Sequence, residues 1–171
     1  MEFQKKDVKS IEMKPFEKIG SEWMLISAKK DDRVNTMTAS WGGLGVLWGK
    51  NVVTVYIRPQ RYTKEFVDAQ DTFTLSFFGG EYMRELGYLG KVSGREVPDK
   101  IRQSGLHLTT VEGQPAFEEA HQVFVCRKLY QGKIHPENFL DRSQDERWYP
   151  EKDYHEVYIA EIVEAYERRR G

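Results

Sequence analysis

The residues with the most chemical potential lie between Arg33 and Lys64, in two polar clusters separated by a β-branched run. The first reads Asn35-Thr-Met-Thr-Ala-Ser-Trp-Gly-Gly. At the period of a strand, Thr36, Thr38 and Ser40 fall on one face, and Met37 and Ala39 fall on the other. A buried hydroxyl without a partner costs about 1 to 3 kcal/mol, so a covered face would need partners in the protein or a ligand. On a half-exposed strand, water serves equally well. The second cluster reads Arg58-Pro-Gln-Arg-Tyr-Thr-Lys-Glu-Phe-Val, where a strand ends at Ile57 and a helix is expected to start near Thr63. A helix start offers free N–H groups, and Arg61, Thr63 and Lys64 add two cations and a hydroxyl, a set suited to a phosphate monoester. The same residues also make an ordinary capped helix, with Thr63 as N-cap and exposed bases beside it.

Other candidates are less specific. Trp41-Gly-Gly-Leu-Gly-Val-Leu-Trp-Gly approaches a dinucleotide fingerprint, but Trp48 stands where the third glycine belongs, and the run leads into a strand. Its glycines read as bends or close backbone approaches within β-structure. His107, His121, His135 and His155 never fall two to five residues apart, so no local metal pair and no metal-ligand set is expected. His135, in Tyr130-Gln-Gly-Lys-Ile-His-Pro, reads as a loop histidine facing either a ligand or solvent. Gly90-Lys-Val-Ser-Gly-Arg-Glu-Val-Pro-Asp-Lys reads as a mobile cover for a site or as a solvated connector. Cys126, the single cysteine, sits in an apolar β-type run and reads as a small core residue.

The elements that must position these clusters are mostly strands. Segments at Trp23–Ala28, Val34–Ala39, Val52–Ile57, Phe73–Phe77, Leu106–Val111, Val123–Tyr130 and Val157–Val163 have strand character. Phe73, Leu75 and Phe77 alternate with hydroxyl residues, predicting one buried face, whereas Val52–Ile57 is nearly continuous and predicts burial on both. Short helices are expected at Thr63–Ala69, Tyr82–Leu89 and Asp99–Gln103. Without regular β-α-β alternation, this order favours a mainly β fold with short helices, an antiparallel barrel with helices appended. The 171 residues suit one domain, residues 1–171, and the end from Glu167 reads as a solvated charged tail. A formal charge of −1 removes the electrostatic case for nucleic acid or anionic membranes, leaving small molecules and proteins as partners. No run approaches the roughly 18 apolar residues of a membrane span, and neither a signal-peptide core nor a second cysteine is present, so a cytoplasmic protein is expected.

Asn35-Thr-Met-Thr-Ala-Ser, a β-branched strand and then Arg58-Pro-Gln-Arg-Tyr-Thr-Lys-Glu together resemble the flavin reductase-like family of FMN-binding split-barrel proteins, particularly its flavoredoxin-like branch. Lys91-Val-Ser-Gly-Arg with Asp99-Lys100, and Val125-Cys-Arg-Lys-Leu, are similar to that family as well. The resemblance runs from about Glu22 to Glu164 and implies a split β-barrel of Greek-key type, a homodimer holding FMN near the subunit interface. It gives Asn35, Thr36, Met37, Thr38, Ala39 and Ser40 to the polar edge of the isoalloxazine ring, and Arg61, Thr63 and Lys64, with Arg58 and Gln60, to the phosphate.

Two departures stand out. Many reductases of this kind carry Gly-Asp-His where this chain has Gly132-Lys-Ile-His, and Trp41 replaces a residue that is often small. The function implied is an oxidoreductase in which NADH or NADPH delivers hydride to flavin N5, with no catalytic side chain required. The alternatives are a flavoredoxin-like FMN electron carrier serving a partner protein without direct NAD(P)H oxidation, and a non-enzymatic flavin-binding module.

Overall fold

The structure is a computed structural model and describes residues 2–169. Among them are ten strands: β1 Phe3–Lys6, β2 Met24–Lys30, β3 Arg33–Ala39, β4 Gly42–Leu47, β5 Lys50–Ile57, β6 Thr72–Phe77, β7 Leu108–Val111, β8 Gln114–Phe117, β9 Gln122–Lys133 and β10 Glu156–Arg168. Five short helices accompany them: α1 Pro15–Gly20, α2 Tyr62–Asp68, α3 Met83–Lys91, α4 Lys100–Ser104 and α5 Arg142–Trp148. None of these helices is long and apolar enough to cross a membrane.

The main sheet runs β3-β2-β6-β9-β10-β5-β4, and every ladder is antiparallel. Met37 and Ala39 from one flank share a core with Val53, Val55 and Ile57 from the other, joined by Ile26, Phe73, Leu75, Phe124 and Tyr158 from between. Opposite flanks of a sheet reach one core only if the sheet rolls up. The edge strands β3 and β4 do not pair, so the barrel is split. The register of β10 on β9 shifts twice, at Ile159/Ala160 and Ile162/Glu164, and such bulges sharpen the coiling that closure needs. Along its other side, β10 pairs with β5 and then, through Ala165–Arg168, with β1. The expected tail is therefore strand as far as Arg168; residues 170 and 171 lie outside the described residues.

A second core covers the outside of the barrel, where Leu25, Val123 and Val125 meet Leu86 and Leu89 of α3 and Ala116 and Phe117 of the β7–β8 hairpin. This layer explains two differences from the sequence reading. Thr74 and Ser76, expected to face water, are buried because the hairpin lies on them, and the Thr74 hydroxyl donates to the Pro115 carbonyl at 2.7 Å. In β5, by contrast, Thr54 and Tyr56 stay half-exposed, because only the face carrying Val53, Val55 and Ile57 is fully enclosed. Cys126 is fully buried, which pushes its thiol pKa far up.

The Gly-rich run forms β4, and one of its glycines is a close approach. A Cβ on Gly42 would lie 3.0 Å from Met24 Cε and 3.0 Å from the Thr54 carbonyl oxygen. Gly42→Ala is expected to destabilise the protein by about 1 to 2 kcal/mol through overpacking, read as a lower midpoint in thermal or urea unfolding.

Candidate functional site

Two cavities share Met37 and Arg61 and form one trough along the free edge of β3 and the end of β5. One holds about 210 Å³ and is lined by Met37 through Trp41, Tyr56, Arg58, Arg61 and His155. The other holds about 170 Å³ and lies among Asn35, Gln60 through Thr63, the stretch from Lys91 to Gly94, and Lys100.

The smaller cavity is built by the turn that follows β5. The Arg61 N–H closes it on the Arg58 carbonyl at 3.1 Å, and α2 begins with Arg61 at its N-cap, two residues earlier than expected. Arg61 donates to the Gly90 carbonyl at 3.0 Å and has no carboxylate partner among the described residues. Lys100 is 3% exposed, and its ammonium donates only to main-chain carbonyls, Leu89 at 3.1 Å and Val92 at 2.8 Å. Burial, and then the charge of Arg61, pull the Lys100 pKa down to about 8. Burial lowers the pKa of Arg61 too.

Between these cations Thr63 is buried and accepts a hydrogen bond from Asn35 Nδ2 at 2.8 Å, which leaves its own proton to give. Gly94 brings the Lys91–Gly94 stretch against Asn35 so tightly that an added Cβ would come 2.1 Å from Asn35 Oδ1. The segment read as a mobile cover or solvated link is thus a packed wall of the trough.

Not every expected residue reaches the trough. Lys64 lines neither cavity: it pairs with Asp68 at 2.5 Å and Glu156 at 3.2 Å. Thr36 is fully buried beneath β3, sharing a hydrogen bond with the Ser27 hydroxyl at 2.8 Å and donating to the Ile26 carbonyl at 3.1 Å. Thr38 lines the larger cavity, yet its hydroxyl donates to the Leu86 carbonyl of α3 at 2.5 Å. What Met37–Ser40 chiefly offer is main chain, because an edge strand leaves alternate N–H and C=O groups without ladder partners.

The far wall of the larger cavity comes from the connection between β9 and β10. Arg58 fixes it, with an ion pair to Asp153 at 2.7 Å, a hydrogen bond to the Trp148 carbonyl at 2.8 Å and its guanidinium 4.9 Å from the Tyr149 ring centroid. Gln60 adds a hydrogen bond to Asp153 at 2.6 Å. This wall presents His155, whereas His135 is exposed, lies 3.8 Å from Glu137 and lines neither cavity. Tyr56 and His155 were given no site role from the sequence, and Lys100 entered only within the family-like Asp99-Lys100 segment, because nothing local marks their place at the trough.

Against known proteins, residues 16–171 match the family model described as flavin reductase like domain. An uncharacterized protein of Aeropyrum pernix is 30% identical over 99 residues, which make up 57% of this chain and 37% of that protein. An FMN-binding domain of a flavin reductases-like enzyme from Shewanella baltica superposes with a TM-score of 0.70 at 16% identity, covering 97% of this chain and 77% of that one. Flavoredoxin from Methanosarcina acetivorans gives 0.65 at 19%, covering 86% and 69%. An NADH:FAD oxidoreductase from Streptomyces globisporus, solved with NAD and FAD fragments, gives 0.65 at 13%, covering 86% and 74%. At these identities, the structural likeness is one of fold.

Proposed function

Because the chain belongs to the flavin reductase-like domain family, we propose that it binds FMN in the trough and acts as an FMN-dependent oxidoreductase. The observation that carries the reading is the pair of cations at one end. Arg61 and Lys100 are both drawn out of water, and neither has a carboxylate partner among the described residues. A buried charge without a counter-ion costs several kcal/mol, so this end is built for an anion that arrives on a ligand. A phosphate ester supplies both the charge and acceptors for charge-assisted hydrogen bonds.

In this reading Arg61, Lys100 and Thr63 hold the phosphate, and Asn35 orients Thr63. Met37, Thr38, Ala39 and Ser40 run along the ring with their main chain, Thr36 anchors that strand from beneath, and Arg58 and Gln60 brace the opposite wall. Lys64 acts at longer range, its charge shared with Asp68 and Glu156. FMN held there would supply the redox chemistry, hydride transfer from NADH or NADPH being the reaction proposed. The chain itself would bind and orient the flavin and keep water from one side of the ring. It works as a homodimer, for which the exposed Val46 and Trp48 at the β4 turn provide apolar surface.

One observation favours an electron carrier as the second reading. Of the two cations lining the larger cavity, Arg58 is engaged by Asp153, and Arg61 belongs to the phosphate, so none waits there for a nicotinamide nucleotide's phosphates. Absorbance of the desalted protein, followed by anaerobic NADH and then NADPH, separates the readings. A flavin spectrum bleached promptly by either nucleotide is the expected result. Bound flavin that resists both but passes electrons to a protein acceptor after photoreduction makes the chain a carrier, and bound flavin that does neither makes it a binding module. A protein that cannot be loaded with FMN overturns the cofactor itself.

A further inference from the structure

The connection from β9 to β10 leaves the barrel and returns to it at one point. Lys133 and Glu156 face each other as the last pair of the ladder, and just beyond them the Ile134 N–H donates to the His155 carbonyl at 3.1 Å. Residues 135–154 thus hang from a single closed neck. A connection this long inside a compact domain is uncommon unless it serves function, and a loop with its ends together can pack on its own side chains.

This loop does so. From His135 to Trp148 no residue is buried, and α5 buries none. Tyr149 and Tyr154 are buried, yet neither belongs to the barrel core or to the core outside it. Their rings lie 4.8 Å apart, with Phe139 at 6.1 Å from one and 6.4 Å from the other. Asp145 ties α5 to the same cluster, its carboxylate accepting from the Tyr154 phenol at 2.8 Å and its carbonyl from the Tyr149 N–H at 2.9 Å. The loop is a small packed body of its own.

Its attachment to the barrel, apart from the neck, is narrow. Among the described residues, the hydrogen bonds, ion pairs and ring contacts that leave residues 135–154 for the barrel end on Arg58, Gln60 and Trp41. Arg58 holds Asp153 at 2.7 Å and the Trp148 carbonyl at 2.8 Å, and Gln60 donates to Asp153 at 2.6 Å. Trp148 meets Trp41 edge-on at 5.0 Å. The side chains of Arg58 and Asp153 remain 24% and 20% exposed, so their pairing is weak enough to break and re-form. Arg58, Trp41 and the neck residue His155 all line the larger cavity, so a displaced loop loosens that wall on three sides.

We propose that residues 135–154 form a hinged flap, pivoting at Ile134 and His155 and latched by Asp153 on Arg58, which opens to let the flavin into and out of the trough. This deepens the flavin reading and rests on it. Asp153 is a positioning residue that acts through Arg58, and Trp148 moves with it, taking its support away from Trp41.

The test combines stopped-flow flavin fluorescence with hydrogen–deuterium exchange, on the wild-type protein and on Asp153→Asn. A latch that closes the trough equally with and without flavin sets the open fraction in both states. Association and dissociation of FMN should therefore both quicken by about 3- to 10-fold in Asp153→Asn, the worth of one partly exposed charge-assisted contact, while Kd changes by less than about twofold. A fixed wall predicts faster dissociation alone, and an unchanged association rate overturns the flap. Exchange checks the wild-type protein without any variant. The Tyr149 and Lys152 amides, both hydrogen-bonded inside the loop, should exchange together and ahead of those in β9 and β10. Exchange of these amides only along with the barrel overturns the flap as well. Opening of the loop in a protein that takes up no FMN sinks the flavin reading and keeps the hinge and latch, whereas FMN that binds at a rate indifferent to Asp153 sinks the flap alone.

Discussion

Arg61→Ala is expected to weaken FMN binding by about 10- to 100-fold, the worth of a charge-assisted hydrogen bond to phosphate. Lys100→Met should weaken it to a similar degree. Riboflavin, which lacks the phosphate, should lose little in either variant. Fluorescence titration with both flavins checks this, and an equal loss for riboflavin and FMN would contradict the phosphate assignment. Lys100 adds a pH signature. Its pKa in the FMN-free protein is about 8, and an adjacent phosphate must raise it. Between those two values the lysine gains a proton as FMN binds, so affinity should fall by up to about tenfold for each pH unit above 8. In Lys100→Met that slope should disappear.

Acid should destabilise the protein through His155 by an amount that one variant reads out. The imidazole has a pKa of about 4 when folded, against an ordinary value of 6.5. Because the folded value is depressed, the contribution is fully present above pH 6.5 and is lost as pH falls toward 4, where only the unfolded chain binds the proton readily. From pH 7 to about pH 4.5 the loss amounts to roughly 2 to 3 kcal/mol. Carboxylates with lowered pKa values, Asp68, Asp153 and Glu164 among them, add their own acid lability. The decisive quantity is therefore the difference from His155→Gln in urea midpoints measured across that range. Parallel pH profiles would show that His155 titrates normally in the folded protein.

Both polar clusters were legible in the sequence, because a run of hydroxyls on a strand and a pair of cations at a helix start follow from local periodicity. The same logic located β3, β5 and α2 to within about two residues at most boundaries. The failures are tertiary. Thr36 and Thr38 looked available to a ligand, but the packing of β3 on β2 and beneath α3 takes up both hydroxyls. Lys64 and Lys100 are alike as letters in charged stretches. Only the return of the Gly90–Lys100 segment over Arg61 buries one of them, while the other turns toward Asp68. His135 looked the better placed histidine because it follows a strand directly. His155 reaches the cavity because the β9–β10 connection comes back across Arg58 before the next strand begins. Strand β4 was hidden by its glycines, which weaken strand propensity while permitting the approach to Met24.

The placement of β10 also bears on how the protein matures. It follows every other described strand in the chain, yet it is the partner that β9, β5 and β1 all require. While the chain emerges from the ribosome, β5 and β9 have open edges, and β1 has no partner until some 160 residues have followed it. The trough, walled by the segment that leads into β10, cannot form before that strand docks. The trough therefore has no complete wall until translation has passed Arg168, and until then the edges of β5 and β9 that β10 covers stay unpaired.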